Sequence, residues 1–150
     1  MLNRNNRRTA LQTLVGGMLA GSRALASSTL SSEVAGEGIR TVVVPKQSSQ
    51  LHSEPFGDLR FYLQGHTEQL KDLTVGSLEL KPGQTPHPPH THPEEEVMVI
   101  AEGHGEISLE GKVTEVGPGA VMYAGSNRLH GIVNTGQSPL TFYYFKWIGK

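Results

Sequence analysis

The chain has 150 residues, which is the size of one domain with a short appendage. Its formal net charge of −1 does not indicate a nucleic-acid binder, and the absence of cysteine excludes disulfides, thiolate metal sites and a cysteine nucleophile. Eighteen glycines and nine prolines favour short strands joined by turns.

Residues 1–26 have the pattern of an export signal. A basic start with the pair Arg7-Arg8 is followed by the apolar run 10–20 and by a small-x-small ending at Ala26. The apolar run is too short for a stable membrane span. The arginine pair resembles a bacterial twin-arginine signal, although Ala10 stands where an aromatic residue is usual. We expect cleavage after Ala26 and a periplasmic protein. The alternative is a short amphipathic helix that caps the domain.

The remaining chain predicts a flexible lead-in at 27–38, rich in Ser, Thr, Gly and Glu, and a barrel at 39–150. Apolar runs bounded by turn residues predict nine strands, at 41–44, 59–63, 73–80, 96–101, 106–109, 113–116, 120–123, 129–133 and 140–148. Residues 66–71 predict a loop or one helical turn. No predicted helix is long enough to cross between parallel strands. The expected fold class is all-β, a small antiparallel β-barrel of jelly-roll type.

Histidine and glutamate residues cluster just ahead of an apolar strand. His90 and His92 are two apart, so on an extended chain both side chains face the same way, with α-carbons about 6.6 Å apart. On a straight strand Glu96 would lie about 20 Å from His90, so a reversal at Pro93–Glu95 is needed to bring it back. His130 begins a strand after a glycine-containing turn and qualifies as a fourth ligand.

Three imidazoles and a carboxylate suit one divalent first-row metal ion: Fe, Mn, Zn, Ni or Cu, with Fe or Mn favoured slightly. The absence of thiolate argues against a purely structural zinc site. If the turn is shorter than expected, Glu94 or Glu95 would replace Glu96 as the ligand. The alternative to a metal site is a solvent-exposed histidine-rich loop beside an incidental acidic run. The positions of Glu96 and His130 in matching hairpins favour the metal site.

The same stretch resembles the first motif of the cupin superfamily: glycine, a spacer, His-x-His, three or four residues, glutamate, six residues and glycine. Its positions are filled by Gly83, His90, His92, Glu96 and Gly103. The opening spacer is one residue longer than usual.

The second cupin motif resembles the stretch from Gly119 to Asn134. Gly125 stands where proline is usual and Asn127 where a second glycine is usual, while His130 and Asn134 match. Asparagine tolerates a left-handed backbone, so the turn is expected to survive. The resemblance covers about residues 70–148. It implies a cupin barrel with the metal ligands His90, His92, Glu96 and His130.

Six further residues are candidates for the pocket or for support behind the ligands: His87, Met98, Ile100, Met122, Arg128 and Asn134. Met98 and Ile100 share the strand parity of Glu96 and are expected to line the barrel near the metal. Arg128 is a candidate anchor for an anionic substrate, and Asn134 is a candidate turn residue.

The resemblance implies a small metal-dependent enzyme, and we expect a dioxygenase or a lyase/isomerase. Four protein ligands leave one or two open positions on an octahedral metal, where O₂, a carboxylate or an enediolate can bind. The expected substrate is a small oxygenated organic acid or a sugar-derived compound. The alternatives are a non-enzymatic metal- or small-ligand-binding cupin of the periplasm and a metal that only braces the barrel. A homodimer through edge strands is also implied, with Val42–Val44 as a candidate edge.

Overall fold

Antiparallel strands dominate residues 38–150, the part of the chain that the computed structural model describes. The predicted signal at 1–26 and, except for Gly38, the predicted lead-in at 27–38 lie outside the described residues. The strands are β1 (Gln50–Glu54), β2 (Gly57–Gly65), β3 (Leu70–Leu80), β4 (Glu95–Glu102), β5 (Gly105–Leu109), β6 (Lys112–Val116), β7 (Val121–Ala124), β8 (His130–Val133) and β9 (Leu140–Gly149). Within this range, no helix has the length and apolar character needed to cross a membrane.

The strands form two sheets. The larger has the order β1-β2-β3-β9-β4-β7, and the smaller has the order β6-β5-β8, with every pair antiparallel. Sheets that interleave sequence-distant strands in this way form an antiparallel jelly roll. The predicted all-β jelly-roll barrel is therefore confirmed.

Alternating side chains build the core. On β4 the buried positions are every second residue, Glu96, Met98 and Ile100, and on β9 they include Phe142 and Tyr144. Successive residues of a strand face opposite sides, so one face of each strand packs inward. The buried apolar residues are Leu78, Leu80, Met98, Ile100, Ile107, Met122, Ala124, Ile132, Leu140, Phe142 and Tyr144.

The predicted strand at 41–44 is wrong. This run lies outside every strand, and Val43 is 89 % exposed. One edge of the larger sheet is instead β1, whose five exposed residues show no apolar alternation. β-propensity expresses how well a residue packs on a sheet, and a β-branched run without a neighbouring strand gains nothing from it. Val42–Val44 therefore offers no edge strand for pairing with a second copy.

Two turns have left-handed residues. Glu110 and Gly111, with φ of +51° and +80°, form the turn between β5 and β6. Asn127 has φ of +58° in the turn between β7 and β8. The second turn thus keeps its left-handed backbone with asparagine in the glycine position.

Candidate metal centre

Backbone pairing sets the histidines side by side. His130 is the first residue of β8, and His90 lies opposite it on the extended segment before β4. The two residues exchange both backbone hydrogen bonds, at 2.9 and 3.0 Å. His92 lies two residues after His90, and the ligand atoms of the three imidazoles lie within 4.8 Å of one another.

The turn between β7 and β8 fixes the bend that follows His92. The backbone N–H of Asn127 donates to the carbonyl oxygen of His92 at 2.8 Å, and the Ser126 hydroxyl donates to that of Pro93 at 2.7 Å. The chain bends at 93–94 and enters β4 at Glu95. The reversal expected from the sequence therefore lies where the distance argument requires it, and it is held by hydrogen bonds from another hairpin.

Glu96 is the second residue of β4, is 4 % exposed and points into the barrel. Its Oε2 atom lies 2.9 Å from Nε2 of His92 and 3.1 Å from Nε2 of His130. A buried carboxylate thus meets two imidazoles contributed by separate parts of the chain.

Neither neighbouring glutamate takes this place. The Glu95 carboxylate accepts a hydrogen bond from the Tyr123 hydroxyl at 3.0 Å. The Glu94 carboxylate lies 3.1 Å from Nδ1 of His92, the nitrogen that does not contact Glu96. The alternative, in which a shorter turn puts Glu94 or Glu95 in the place of Glu96, is therefore not what the structure shows.

The hydrogen bonds that Nδ1 donates determine that Nε2, the ring nitrogen facing the Glu96 carboxylate, is the one without a proton in the neutral ring. His92 Nδ1 lies 3.1 Å from the carbonyl oxygen of Glu94, and His130 Nδ1 lies 2.8 Å from that of Arg128. Carbonyl oxygens only accept, so each Nδ1 carries the proton, and in the neutral ring Nε2 presents a lone pair. Two lone pairs and a carboxylate oxygen then converge, an arrangement that a shared cation satisfies. The residues therefore fit a bound metal ion.

His90 supplies a third imidazole. Its Nδ1 is buried and has no hydrogen-bond partner within residues 38–150. Burial lowers the pKa of His90, and the neighbouring imidazoles of His87, His130 and His92 lower it further. The neutral ring, which is the form that binds metals, is thereby favoured.

Glu96 and His130 shift each other's pKa. Burial raises the pKa of Glu96. In the metal-free site, where a proton on Nε2 takes the place of the cation, hydrogen bonds from His130 and His92 outweigh the effect of burial and hold the pKa of Glu96 below its usual value. The hydrogen bond to Glu96 raises the pKa of His130 against the effect of burial. Glu96 is therefore an ionised carboxylate near neutral pH, as a metal ligand must be.

A cavity of about 230 Å³ opens beside these four residues. Much of its wall is apolar and comes from Phe56, Leu59, Phe61, Leu78, Met98 and Phe142. Among residues 38–150, the ionisable residues in its lining are His87, His90, His92, Glu96, His130, Tyr144 and Lys146. The cavity thus joins an apolar body to one polar end.

Tyr144 and Lys146 reach the cavity from β9. In the register between β4 and β9, Lys146 pairs with Glu96 and Tyr144 pairs with Met98, so their side chains share the inner face. Burial raises the pKa of the Tyr144 hydroxyl, which remains a protonated donor at physiological pH. Lys146 is half-buried and makes no ion pair with the described residues.

Two of the six other sequence candidates line the cavity. Met98 packs in its wall, and His87 stands at its exposed side with its ring centroid 4.0 Å from that of His90. Both residues therefore lie at the cavity, and a role in binding a ligand stays a prediction.

The other four candidates lie elsewhere. Ile100 and Met122 are buried in the core and do not line the cavity. Arg128 has an exposed side chain 3.4 Å from the Glu110 carboxylate, so it does not face a substrate in the cavity. Asn134 is fully buried and hydrogen-bonds the backbone of its own loop and of β3. Ile100 faces the inside of the barrel, as its spacing from Glu96 and Met98 predicts. It lies two residues beyond Met98 on β4, however, and does not line the cavity.

Lys146 was missed as a pocket residue by the sequence reasoning. The signal was present, since Phe142, Tyr144 and Lys146 alternate along one predicted strand and must share a face. A lysine near the end of an apolar strand suggests a solvated terminus, and only the pairing with Glu96 reveals that it faces inward.

The chain has been compared with known proteins. A family model described as the cupin domain matches residues 76–146. No curated protein matches the chain significantly.

Solved structures share the fold at low sequence identity. KdgF from Halomonas sp. aligns with a TM-score of 0.59 and 20% identity over 71% of this chain and 94% of that one. The polyketide cyclase RemF from Streptomyces resistomycificus aligns with 0.59 and 19% over 72% and 80%. A protein described as a predicted oxalate decarboxylase from Thermotoga maritima aligns with 0.57 and 22% over 71% and 99%. Residues 76–146 are therefore similar to the cupin domain, and the chain shares the fold of these solved structures.

Proposed function

We propose that His90, His92, Glu96 and His130 bind one divalent first-row metal ion. The observation that carries this proposal is the convergence of two Nε2 lone pairs on Oε2 of Glu96, at 2.9 and 3.1 Å, with both tautomers set by carbonyl acceptors. The third imidazole, from His90, completes the set with an unpaired ring nitrogen. Three nitrogens and one oxygen without thiolate suit Fe or Mn as well as Zn, Ni or Cu, and Fe or Mn is our choice.

We further propose that the protein is an enzyme in which the cavity takes a small substrate at the metal. A metal that only braced the barrel would need no cavity beside its ligands, whereas the four proposed ligands all line one. When bound, the metal supplies Lewis acidity. Around it, Lys146 supplies a positive charge and the Tyr144 hydroxyl a hydrogen-bond donor, while the apolar wall excludes water.

The reaction class that we propose is a dioxygenase or a lyase/isomerase step on a small oxygenated organic acid or a sugar-derived compound. Structures with this fold include a polyketide cyclase and a protein described as a predicted oxalate decarboxylase. Their identity to this chain is 19% and 22%, so they support catalysis by this fold and carry no substrate over to this chain.

The metal is tested by elemental analysis of protein purified without added metal, followed by titration calorimetry with Fe(II), Mn(II) and Zn(II). We expect one ion per chain and a loss of binding in His92→Ala. The matched control is His104→Ala, which removes an exposed histidine outside the cavity and leaves binding unchanged. Absence of stoichiometric metal, or equal binding by His92→Ala, would sink the site.

The enzyme is tested by a substrate screen with the metal-loaded protein. Small hydroxy acids, keto acids and sugar acids are offered with and without O₂, and products are followed by mass spectrometry. Turnover that His92→Ala abolishes supports the enzyme. If the protein binds one metal ion per chain but turns over none of these compounds, the alternative of a non-enzymatic binding protein is favoured.

We also propose that residues 1–26 direct export to the periplasm as a twin-arginine-like signal. The support is the Arg7-Arg8 pair, the apolar run and the small-x-small ending at Ala26. Expressed in a bacterium, the wild-type chain is expected in the periplasmic fraction with Ser27 as its first residue. Replacing both arginines by lysine should retain the chain in the cytoplasm. An uncleaved chain in the cytoplasm of the wild type contradicts the proposal.

A further inference from the structure

The cavity beside the proposed metal has its ionisable residues around the metal ligands and apolar residues over much of its wall. This arrangement restricts the ligands that the cavity can bind. We propose that it binds a small carboxylate with an apolar body, its carboxylate held between the metal and the ammonium of Lys146. The inference rests on the proposed metal site and narrows its substrate class, because it selects the organic acid over the sugar-derived compound.

The charge balance of the polar end calls for an anion. Three neutral imidazoles and one carboxylate leave a divalent ion with net positive charge, and Lys146 adds a further positive charge. Glu96 is the one acid in the described lining of the cavity, and the proposed metal uses it. A low-dielectric wall strengthens the attraction of a bound anion to these charges. A neutral ligand would leave the lysine without a counterion.

Lys146 is held where it can meet such an anion. It is the cross-strand partner of Glu96 on β9 and lies opposite Thr74 on β3, so the backbone of three adjacent strands fixes its Cα. It is half-buried and unpaired within residues 38–150.

The apolar part of the cavity wall disfavours a ligand that carries many hydroxyl groups. Phenylalanine side chains from three places in the chain, Phe56, Phe61 and Phe142, line it together with Leu59 and Leu78. None of these side chains can hydrogen-bond a hydroxyl, and burying an unpaired hydroxyl in such surroundings is unfavourable. A hydrocarbon or aromatic body loses nothing there and gains from leaving water.

The test uses the full mature chain loaded with Co(II), whose visible absorption reports ligands that reach the metal. Three probes are titrated: 3-phenylpropanoate, its amide and gluconate. Calorimetry measures each affinity directly, without requiring turnover. We expect 3-phenylpropanoate to bind and to change the Co(II) spectrum. The amide, which lacks the charge, and gluconate, which lacks the apolar body, should each bind about tenfold more weakly or worse.

Lys146→Met keeps the length of the side chain and removes its charge. We expect it to retain the metal and to bind 3-phenylpropanoate about tenfold or more weakly, the usual loss for one charge-assisted contact. Lys146→Arg keeps the charge and should stay within a few-fold of the wild type. Lys112→Met removes an exposed lysine outside the cavity and should change nothing.

The outcomes separate this inference from the proposed function. A chain that binds no metal overturns both. A chain that binds metal but binds 3-phenylpropanoate equally in the wild type and in Lys146→Met overturns this inference alone. If gluconate binds as tightly as 3-phenylpropanoate, the ligand does not need an apolar body, and this part of the inference is wrong. The sugar-derived compound then remains as the substrate class of the proposed function.

Discussion

A single residue, Asn127, connects backbone conformation to the proposed site. It has φ of +58°, and its N–H donates to the carbonyl oxygen of His92 at 2.8 Å. The left-handed backbone conformation costs an ordinary L-residue about 1–2 kcal/mol, and it costs asparagine and glycine less. The departure from the usual glycine at this position therefore leaves the site intact.

We predict that Asn127→Gly folds with nearly unchanged stability, whereas Asn127→Val loses about 1–2 kcal/mol or more because a β-branched residue is strained at positive φ. The shifted turn should also displace His92 and weaken metal binding. Urea unfolding of the metal-free protein and metal titration measure the two effects. If Asn127→Val matched Asn127→Gly in both, the turn would not be what positions His92.

Asn134 is a second residue whose role follows from its hydrogen bonds. It is fully buried, and its amide donates to the carbonyl oxygens of Leu80 at 2.8 Å and Ser138 at 2.9 Å. Its own side-chain oxygen accepts from the N–H of Gly136. It therefore fastens the loop before β9 to the end of β3.

Replacing Asn134 by alanine removes these three hydrogen bonds inside the fold, and we predict a loss of at least about 2 kcal/mol of unfolding free energy. Gln137→Ala in the same loop changes an exposed side chain and is the control, with an expected effect within about 0.5 kcal/mol. Metal affinity of the folded Asn134→Ala chain should remain near wild type, because Asn134 does not line the cavity. A strong loss of affinity at full folding would give it a role at the site.

The sequence was sufficient to place His90, His92, Glu96 and His130 together because a two-residue period and a turn fix their directions with few alternatives. It was insufficient for Lys146 because the inward orientation of that residue depends on the register between β4 and β9, strands that are far apart in the chain. Register of that kind is set by packing across the whole sheet.

At the scale of elements, β3 contains a glycine that the cavity requires. A Cβ added to Gly76 would lie 2.2 Å from the Tyr144 hydroxyl and 2.6 Å from the carbonyl oxygen of Arg60. The second atom is backbone of β2 and cannot move aside without disturbing that strand. Gly76 thus provides the space in which the Tyr144 ring lies against β3.

Gly76→Ala is predicted to cost about 1–3 kcal/mol by overpacking, and to push Tyr144 into the cavity. Gly149→Ala is the matched control, because no atom lies within 4 Å of its added Cβ. Thermal unfolding of the metal-free variants measures the difference. Equal melting temperatures for the two variants would contradict the close approach of Tyr144 to β3.

Strand prediction succeeded where alternation was strong and failed where it was absent. Strand β4 shows the inward series Glu96, Met98 and Ile100 plainly in its sequence, and β9 does the same with larger residues. Strand β1 has five exposed residues and no apolar face, so its pairing with β2 is visible only in the folded sheet. The valine run at 42–44 has β-propensity but no partner strand.

At the scale of the whole molecule, the proposed ligands come from both sheets. Glu96 lies on β4 of the larger sheet, His130 lies on β8 of the smaller one, and His90 and His92 lie on the segment that connects β3 with β4. A bound ion would therefore link the sheets as a cross-link of the fold. The homodimer remains a prediction, and the run at 42–44 does not supply the edge strand expected for it.

Because the four proposed ligands come together only in the folded chain, a bound ion should stabilise the whole barrel. At a free concentration about 100 times Kd the gain is about 2.7 kcal/mol, which raises the melting temperature of a domain this size by roughly 10 °C. Calorimetric scans with saturating Zn(II) and with a chelator measure this shift. His92→Ala should show no shift, while His104→Ala should show the full one. A rise confined to one probe, for example tryptophan fluorescence from Trp147 without the calorimetric transition, would mean that the ion stabilises one sheet locally and does not join the two.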